Sequence, residues 1–267
     1  MSGRSDSESP PRRASVERSS DIPSPLTVQE RAEGGSGSAP SLLSRSTRPS
    51  LSPNLSPTWS IIDSGRLSGL LNMSADLAAL ESMNGREHAR PTLRFFQWDK
   101  KTVSYGYLMD VDRVKTWAHE NGTNTVVQRP TGGGVVLHQI SDLSLSLLWP
   151  RHKNLLSEKP RDAYAAIHAF IKKAIEPILS KSGTSLYTRP TGSCRTETKP
   201  ERFSLCYLEP VCNDIMIGEK KIIGGALRIT RNAILYQGNI LLEEQQSVED
   251  VKTAISAVFS AWPGPAL

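Results

Sequence analysis

Residues 129–138 read RPTGGGVVLH: an arginine, a proline that sets a rigid turn, a threonine, three consecutive glycines, then two valines, a leucine and a histidine. A chain that folds around an apolar core gives up three side chains in a row where something must lie against its backbone. Glycine can aim N–H groups at that object with no Cβ in the way. A ligand is one such object, a glycine bulge in a hairpin is the other, and the three glycines alone leave both open. The run fits neither a phosphate P-loop, which needs Gly-x-x-x-x-Gly-Lys-Ser/Thr, nor a dinucleotide fingerprint, which needs Gly-x-Gly-x-x-Gly opening a helix.

The flanks of this stretch have strand composition. NTVVQRP, GVVLHQ and DLSLSLLWP are three consecutive strand candidates, the last alternating Leu143, Leu145 and Leu147 on one face. Upstream, TWSIIDSG predicts a short strand ending in a turn at Ser64-Gly65, and PTLRFFQW (91–98) a second strand. Between them, Leu67, Leu70, Leu71, Met73, Leu77 and Leu80 fall at helical spacing and predict an amphipathic helix to about Met83. DVDRVKTWAHENG predicts a helix stopped by Gly122, and 161–183 the longest helix, kinked by Pro177 and stopped by Gly183. NDIMIGEKKIIGGALRI and NAILYQGNILL predict a hairpin series with turns at Gly218-Glu219 and Arg231-Asn232, and a last helix spans about 247–261. Strand clusters interleaved with helices, without strict βαβ alternation, predict an α+β domain with a mixed, mostly antiparallel sheet.

Residues 1–57 differ in kind: Ser, Pro, Gly and Arg dominate, with no aromatic residue. Such a segment cannot bury enough apolar surface to offset about 1–2 kcal/mol of backbone entropy per ordered residue, so a disordered tail is expected there, followed by one domain over 58–267. Asp6, Glu8, Glu17, Asp21, Glu30 and Glu33 argue against an organelle transit peptide; a regulatory or secretion-targeting tail stays open. A net charge of +5 from 32 basic and 27 acidic residues, with no dense basic run, gives no reason to expect a nucleic-acid partner. No stretch approaches the ~20 apolar residues of a membrane helix, so a cytoplasmic protein with no membrane partner is expected. Cys194, Cys206 and Cys212 are odd in number, with no CxxC pair, so neither a disulfide framework nor a zinc or other metal site follows, and a reducing interior suits them.

A second constellation is GEKKIIGGALR (218–228), a lysine at a strand start with two glycines three residues on. A lysine fixed beside a glycine-lined groove is a point charge for a carbonyl, carboxylate or phosphate oxygen, although most Lys-Lys pairs are solvated turn residues.

Taken together, LLNMSADLAALE, RFFQWDKKTVSYG, VVQRPTGGGVVLHQ, CYLEPVCNDIMIGEKKIIGGALR and ILYQGNILL resemble, in order, the motifs of the lipoate-protein ligase and octanoyltransferase superfamily over about 58–243. The resemblance implies the catalytic-domain fold shared with biotin-protein ligases, class II synthetase-like, with helices flanking the sheets. It implies that Arg129 and the Gly132, Gly133 and Gly134 backbone line an acyl pocket with His138 behind it. Lys221 would contact the activated carbonyl, beside Gly224, Gly225 and Ala226. Cys206-Tyr207-Leu208-Glu209-Pro210 resembles the Cys-aromatic-x-x-Pro of the cysteine-dependent octanoyltransferases, with Lys221 fifteen residues after the cysteine. Cys206 would then be an acyl-carrying nucleophile that needs no ATP, and Cys194 and Cys212 bystanders.

The donor so implied is an acyl carrier protein or lipoylated carrier; the acceptor is a lysine on a lipoyl domain of a 2-oxoacid dehydrogenase or on a glycine-cleavage carrier. ATP-dependent lipoate ligation is the alternative, in which Asn213 and Asp214 would hold adenylate or Mg²⁺. Biotin ligation lacks its Gly-Arg-Gly-Arg run. Gln128, Gln139, Leu227, Gln237 and Met109 stand where the superfamily usually has Arg, Asp, Gln, His and Gln, which also keeps open a binding module without catalysis.

Overall fold

The computed structural model describes residues 59–83, 89–151, 157, 159–179, 186–188, 205–206, 209–244 and 246–262. The segment 1–57, Gly183 and Cys194 lie outside the described residues. The described elements are β1 (Ser60–Leu67), α1 (Gly69–Ser82), β2 (Thr92–Trp98), β3 (Thr102–Tyr105), α2 (Val111–Glu120), β4 (Val126–Gln128) and β5 (Val135–His138). They continue with β6 (Leu143–Pro150), α3 (Pro160–Leu179), β7 (Leu186–Thr188), β8 (Ile215–Ile217), β9 (Lys220–Ile229), β10 (Ala233–Ile240) and α4 (Val248–Ser260). Seven strands form one sheet in the order β1-β2-β6-β10-β9-β8-β7, and β4-β3-β5 form a second. Of the pairings among them, β1 with β2 and β3 with β4 are parallel and the others antiparallel.

Period-2 alternation in β6 sorts the two sides of the large sheet. Leu143, Leu145, Leu147 and Trp149 pack with Ile167, Ile171 and Ile175 of α3 and Val251, Ile255 and Phe259 of α4 in the main core. Ser144 and Ser146 point the other way, where Ser144 Oγ accepts from Trp98 Nε1 and Ser146 Oγ donates to Asp76 Oδ1. Trp59, Phe259 and Trp262 close one end of the core, with Trp59 stacked on Trp262 at 5.7 Å and Phe259 edge-on to the two at 5.2 and 5.3 Å. Ser68, Asp110 and Ser247 cap α1, α2 and α4 with their side-chain oxygens, taking up N–H groups that a helix start leaves unpaired. Pro177 is accommodated within α3. No described helix is long and apolar enough to cross a membrane.

Three expectations change. The Ser64-Gly65 turn is a bulge inside β1: the register with β2 shifts between Asp63 and Arg66, and Gly65 takes φ +61°. The strand β3 and the short β7 have no counterpart among the predicted strands. In α1 the leucine stripe is not the buried face, since Leu70, Leu71 and Leu77 are exposed whereas Asn72, Met73, Asp76 and Leu80 are buried. Polar Asn72 and Asp76 can be buried because Arg94 of β2 donates to both, with Nη2 2.8 Å from Asn72 Oδ1 and Nη1 2.9 Å from Asp76 Oδ1.

Candidate active site

Between the two sheets lies a cavity whose wall includes Met73, Phe96, Trp98, Arg129, Gly133, Gly134, Val136, His138, Cys206, Lys221, Gly224, Gly225 and Ala226. The two motifs of the sequence thus meet on one space: the glycine run enters from the small sheet and the lysine segment from β9.

The glycine run is shaped by Arg129. Its buried guanidinium donates to the carbonyls of Gly132 (3.1 Å) and Gly134 (2.9 Å) and to Ser104 Oγ (2.7 Å). With these carbonyls turned to the arginine, the Gly134 N–H faces Cys206 and donates to Sγ at 3.2 Å. Gly133 sits at φ +91°, a backbone conformation that favours glycine, and a Cβ there would crowd Arg129 Nη2 at 3.3 Å. Gly132 is not among the residues that line the cavity, and a Cβ there would stand 3.8 Å from the Tyr107 ring.

Cys206 is a half-buried free thiol. Its N–H donates to Val135 O at 3.0 Å, next to an isolated bridge between Val135 and Leu205, which ties the cysteine to β5. Its carbonyl accepts from Lys221 Nζ at 2.8 Å, which ties it to β9. Lys221 is buried and ion-paired with Asp214 at 2.8 Å. Gly224 makes this possible, because a Cβ there would stand 2.1 Å from Lys221 Cε. Gly225 likewise leaves room for the Tyr236 ring, 2.4 Å from where its Cβ would be. The glycine pair of β9 therefore serves neighbouring side chains as well as the cavity.

Asp214 has no solvent exposure. Oδ2 accepts from Lys221 and from the Val211 N–H (2.7 Å), and Oδ1 from the Tyr164 hydroxyl (2.5 Å). Neighbouring Asn213 takes φ +66°, and its carbonyl accepts from His168 Nδ1 at 2.8 Å, leaving His168 Nε2 to accept from the Tyr236 hydroxyl at 2.8 Å. Burial, aided by the charge of Lys221 and opposed by the Asn213 bond, pulls His168 down to about 3, so it is neutral. Cys212, which the odd cysteine count leaves without a pairing, is disulfide-bonded.

His138 stacks on Trp98 with ring centroids 3.9 Å apart. Arg129 donates to Ser104 Oγ, so the Ser104 hydroxyl hydrogen is left for His138 Nε2 (2.6 Å), and Nδ1–H donates to Asn239 Oδ1 (3.2 Å). Burial, with the Arg129 charge second, lowers His138 to about 3. Asn239 Nδ2 continues to Asp142 Oδ2 at 3.0 Å, so a carboxylate stands behind the histidine although residue 139 is glutamine. Gln237, the other departure inside the site, bridges Thr131 Oγ1 (2.7 Å) to Asp76 Oδ2 (2.7 Å), joining the glycine run to α1. Gln128 is exposed, while Leu227 and Met109 pack against hydrophobic clusters. Tyr164, Ser104, Asn239, Arg94 and Asp76 were not singled out by the sequence; each acts across 18 or more residues of chain, and no short motif carries that signal.

The lipoyl protein ligase A/B catalytic domain family matches residues 68–260, which takes in every described element after β1. The chain belongs to this family. Among curated relatives, the octanoyltransferase LipM of Lysinibacillus sphaericus is 28% identical over 197 residues, covering 71% of this chain and 67% of that protein. The octanoyltransferase LipM of Bacillus subtilis is 28% identical over 189 residues, covering 70% and 66%. The match thus spans about two thirds of the length of these relatives. Among solved structures, lipoate-protein ligase A bound with ATP superposes with TM-score 0.52 at 22% identity over 77% of this chain and 85% of that one. LipL1 of P. falciparum in complex with lipoate gives TM-score 0.51 at 14% identity over 76% and 62%. These two share the fold.

Proposed function

We propose that this protein moves an octanoyl group from a carrier-protein thioester to a lysine of a lipoyl domain through a thioester on Cys206. The observation that carries the reading is one connected set of contacts. The Gly134 N–H meets the sulfur of Cys206, Lys221 meets the carbonyl of the same residue, and both open on a cavity walled by Met73, Phe96, Trp98 and Val136. Each CH₂ buried against such walls contributes about 0.8 kcal/mol.

In the first half-reaction the sulfur attacks the donor carbonyl carbon and the C=O π pair moves onto oxygen, whose charge the Gly134 N–H and the Lys221 ammonium beside Cys206 would stabilise. Collapse breaks the donor C–S bond, and the departing sulfur takes the proton that Cys206 loses. One thioester replaces another, so no nucleotide is consumed. In the second half the lysine amine displaces Cys206 and forms an amide. The curated octanoyltransferase relatives support this chemistry. The donor is read as an acyl carrier protein or lipoylated carrier, the acceptor as a 2-oxoacid dehydrogenase lipoyl domain or a glycine-cleavage carrier, and the compartment as the cytoplasm.

ATP-dependent lipoate ligation is the second reading, favoured by the likeness of fold to lipoate-protein ligase A. Against it, both oxygens of Asp214, the residue offered for Mg²⁺, are engaged by protein donors. Incubation with octanoyl carrier protein and no ATP should add one octanoyl mass to the Cys206 peptide, and Cys206→Ser should lower transfer by on the order of 10³-fold. Pyrophosphate release from ATP and free lipoate with no acyl group on Cys206 overturns the proposal. Octanoyl binding without transfer in the wild type marks a binding module instead.

A further inference from the structure

An ammonium stabilises a growing negative charge only if it already stands in place when that charge appears. A lysine is poorly suited to this by itself, because its head is a point charge on a flexible four-carbon stem. Lys221 Nζ lies 2.8 Å from the Cys206 carbonyl oxygen and 2.8 Å from Asp214 Oδ2, and these two contacts give it a direction. Asp214 then needs a hold of its own. The last torsion of an aspartate is broad, so a carboxylate gripped at one oxygen alone could swing and take the ammonium with it.

Helix α3 supplies that hold through Tyr164. Its hydroxyl donates to Asp214 Oδ1 at 2.5 Å and accepts the Gly225 N–H at 3.0 Å. The Val211 N–H donates to the other oxygen at 2.7 Å, which fixes the carboxylate at both corners. The bond to Gly225 anchors β9 one residue past Gly224, where the Lys221 stem passes: a Cβ on Gly224 would stand 2.1 Å from Lys221 Cε and 2.4 Å from Nζ. One hydroxyl therefore holds both the counter-ion of the lysine and the strand segment that the lysine crosses.

Tyr164 is itself immobilised. It is buried in the main core, and its ring lies 4.0 Å from that of His168, one helical turn on. His168 bonds the Asn213 carbonyl, so two side chains of α3 grip the successive residues 213 and 214. Burial, with the Asp214 charge second, holds the Tyr164 hydroxyl well above its ordinary value, so it keeps the hydrogen that it donates. Tyr164 is not among the residues that line the cavity, and it reaches the reacting atoms only through its neighbours.

Resting on the octanoyl-Cys206 reading, we propose that Tyr164 is a positioning residue of the transfer reaction. It locks Asp214 and Gly225 so that the Lys221 ammonium stands beside Cys206 before the thioester carbonyl oxygen gains its charge.

The test is Tyr164→Phe, which keeps the ring in the core and removes only the hydroxyl. Octanoyl carrier protein is added at increasing concentration to wild type and variant, and octanoyl-Cys206 is followed by mass spectrometry, with the rate read per folded molecule. The limiting rate should fall about 10-fold or more, as for the loss of a bond to a charged group, at an unchanged half-saturating carrier concentration. In a background of Lys221→Met with Asp214→Asn, the same substitution should change the limiting rate by less than about twofold, because no ammonium is left to position. An unchanged limiting rate in Tyr164→Phe overturns the proposal. So does an equal loss in the background without Lys221, which would mark a residue of the fold alone, and so does a change confined to the half-saturating concentration. Absence of octanoyl-Cys206 in the wild type overturns the thioester reading and this role with it, and is recognisable because it precedes any substitution.

Discussion

The two sides of strand β6 differ as a wall differs from a mechanism. Toward α3 and α4 it presents Leu143, Leu145, Leu147 and Trp149 to an apolar core. Toward α1 it presents Ser144 and Ser146 to hydrogen-bonded networks that run through Trp98, Asn239 and His138, and through Asp76, Arg94 and Gln237. Apolar packing is non-directional and tolerates exchange of one hydrophobe for another. A buried polar network fixes directions, and removing one member leaves its partners unsatisfied. Stability should therefore concentrate on one side of the sheet and activity on the other.

The sharpest way to break that division is Lys221→Met. Loss of the cation beside the carbonyl should lower kcat about 10²–10³-fold. It also strands Asp214, at a cost of about 3–5 kcal/mol for an unpaired buried charge. Adding Asp214→Asn should recover most of the stability, read by urea unfolding, and none of the activity; recovery of both would show that Lys221 serves only the fold. On the opposite side, Leu145→Ala should cost about 2–5 kcal/mol while leaving the turnover of the folded fraction unchanged in active-site titration.

Acid separates the two sides less sharply. His138 and His168 have folded values of about 3, below the ordinary 6.5, so the unfolded chain binds protons that the native one refuses. Their contribution is present above pH 6.5 and is lost as pH falls toward 3, on the order of 2 kcal/mol each by pH 5. Burial raises Asp76 and Asp142, which acts in the opposite sense: the native state binds protons before the unfolded one, so their share grows as pH falls through the raised values. Denaturation at pH 7 and pH 5 should show a net loss, reduced when His168 is replaced by Gln. The smallest effect is expected for Leu71→Ser on the exposed face of α1, within about 0.5 kcal/mol; a core-sized loss would restore the leucine stripe as the buried face.

That last case marks where the sequence stops being legible. Helical spacing predicts the existence of α1 and the burial of Met73 and Leu80 but not the exposure of Leu70, Leu71 and Leu77, because Asn72 and Asp76 are buried by a partner, Arg94, that lies on a strand. Alternation in β6 is legible because a strand's period is local. The glycine run and Lys221 are legible as motifs and do line one cavity. Tyr164 behind Asp214, and Asn239 behind His138, answer to contacts 50 and 101 residues away, which no local pattern encodes. The disulfide at Cys212 escaped for a similar reason: an odd count argues against a framework and says nothing about a single bridge.

Cys206 is held from two directions, by Val135 of the small sheet and by Lys221 of the large one. On the proposed thioester reading, its acyl-carrying role would be a coincidence detector for tertiary assembly, armed only while both sheets stand in register with each other. Under rising denaturant, labelling of this thiol should change before the helical signal of α3 and α4 begins to fall, so that the chain disarms itself ahead of unfolding.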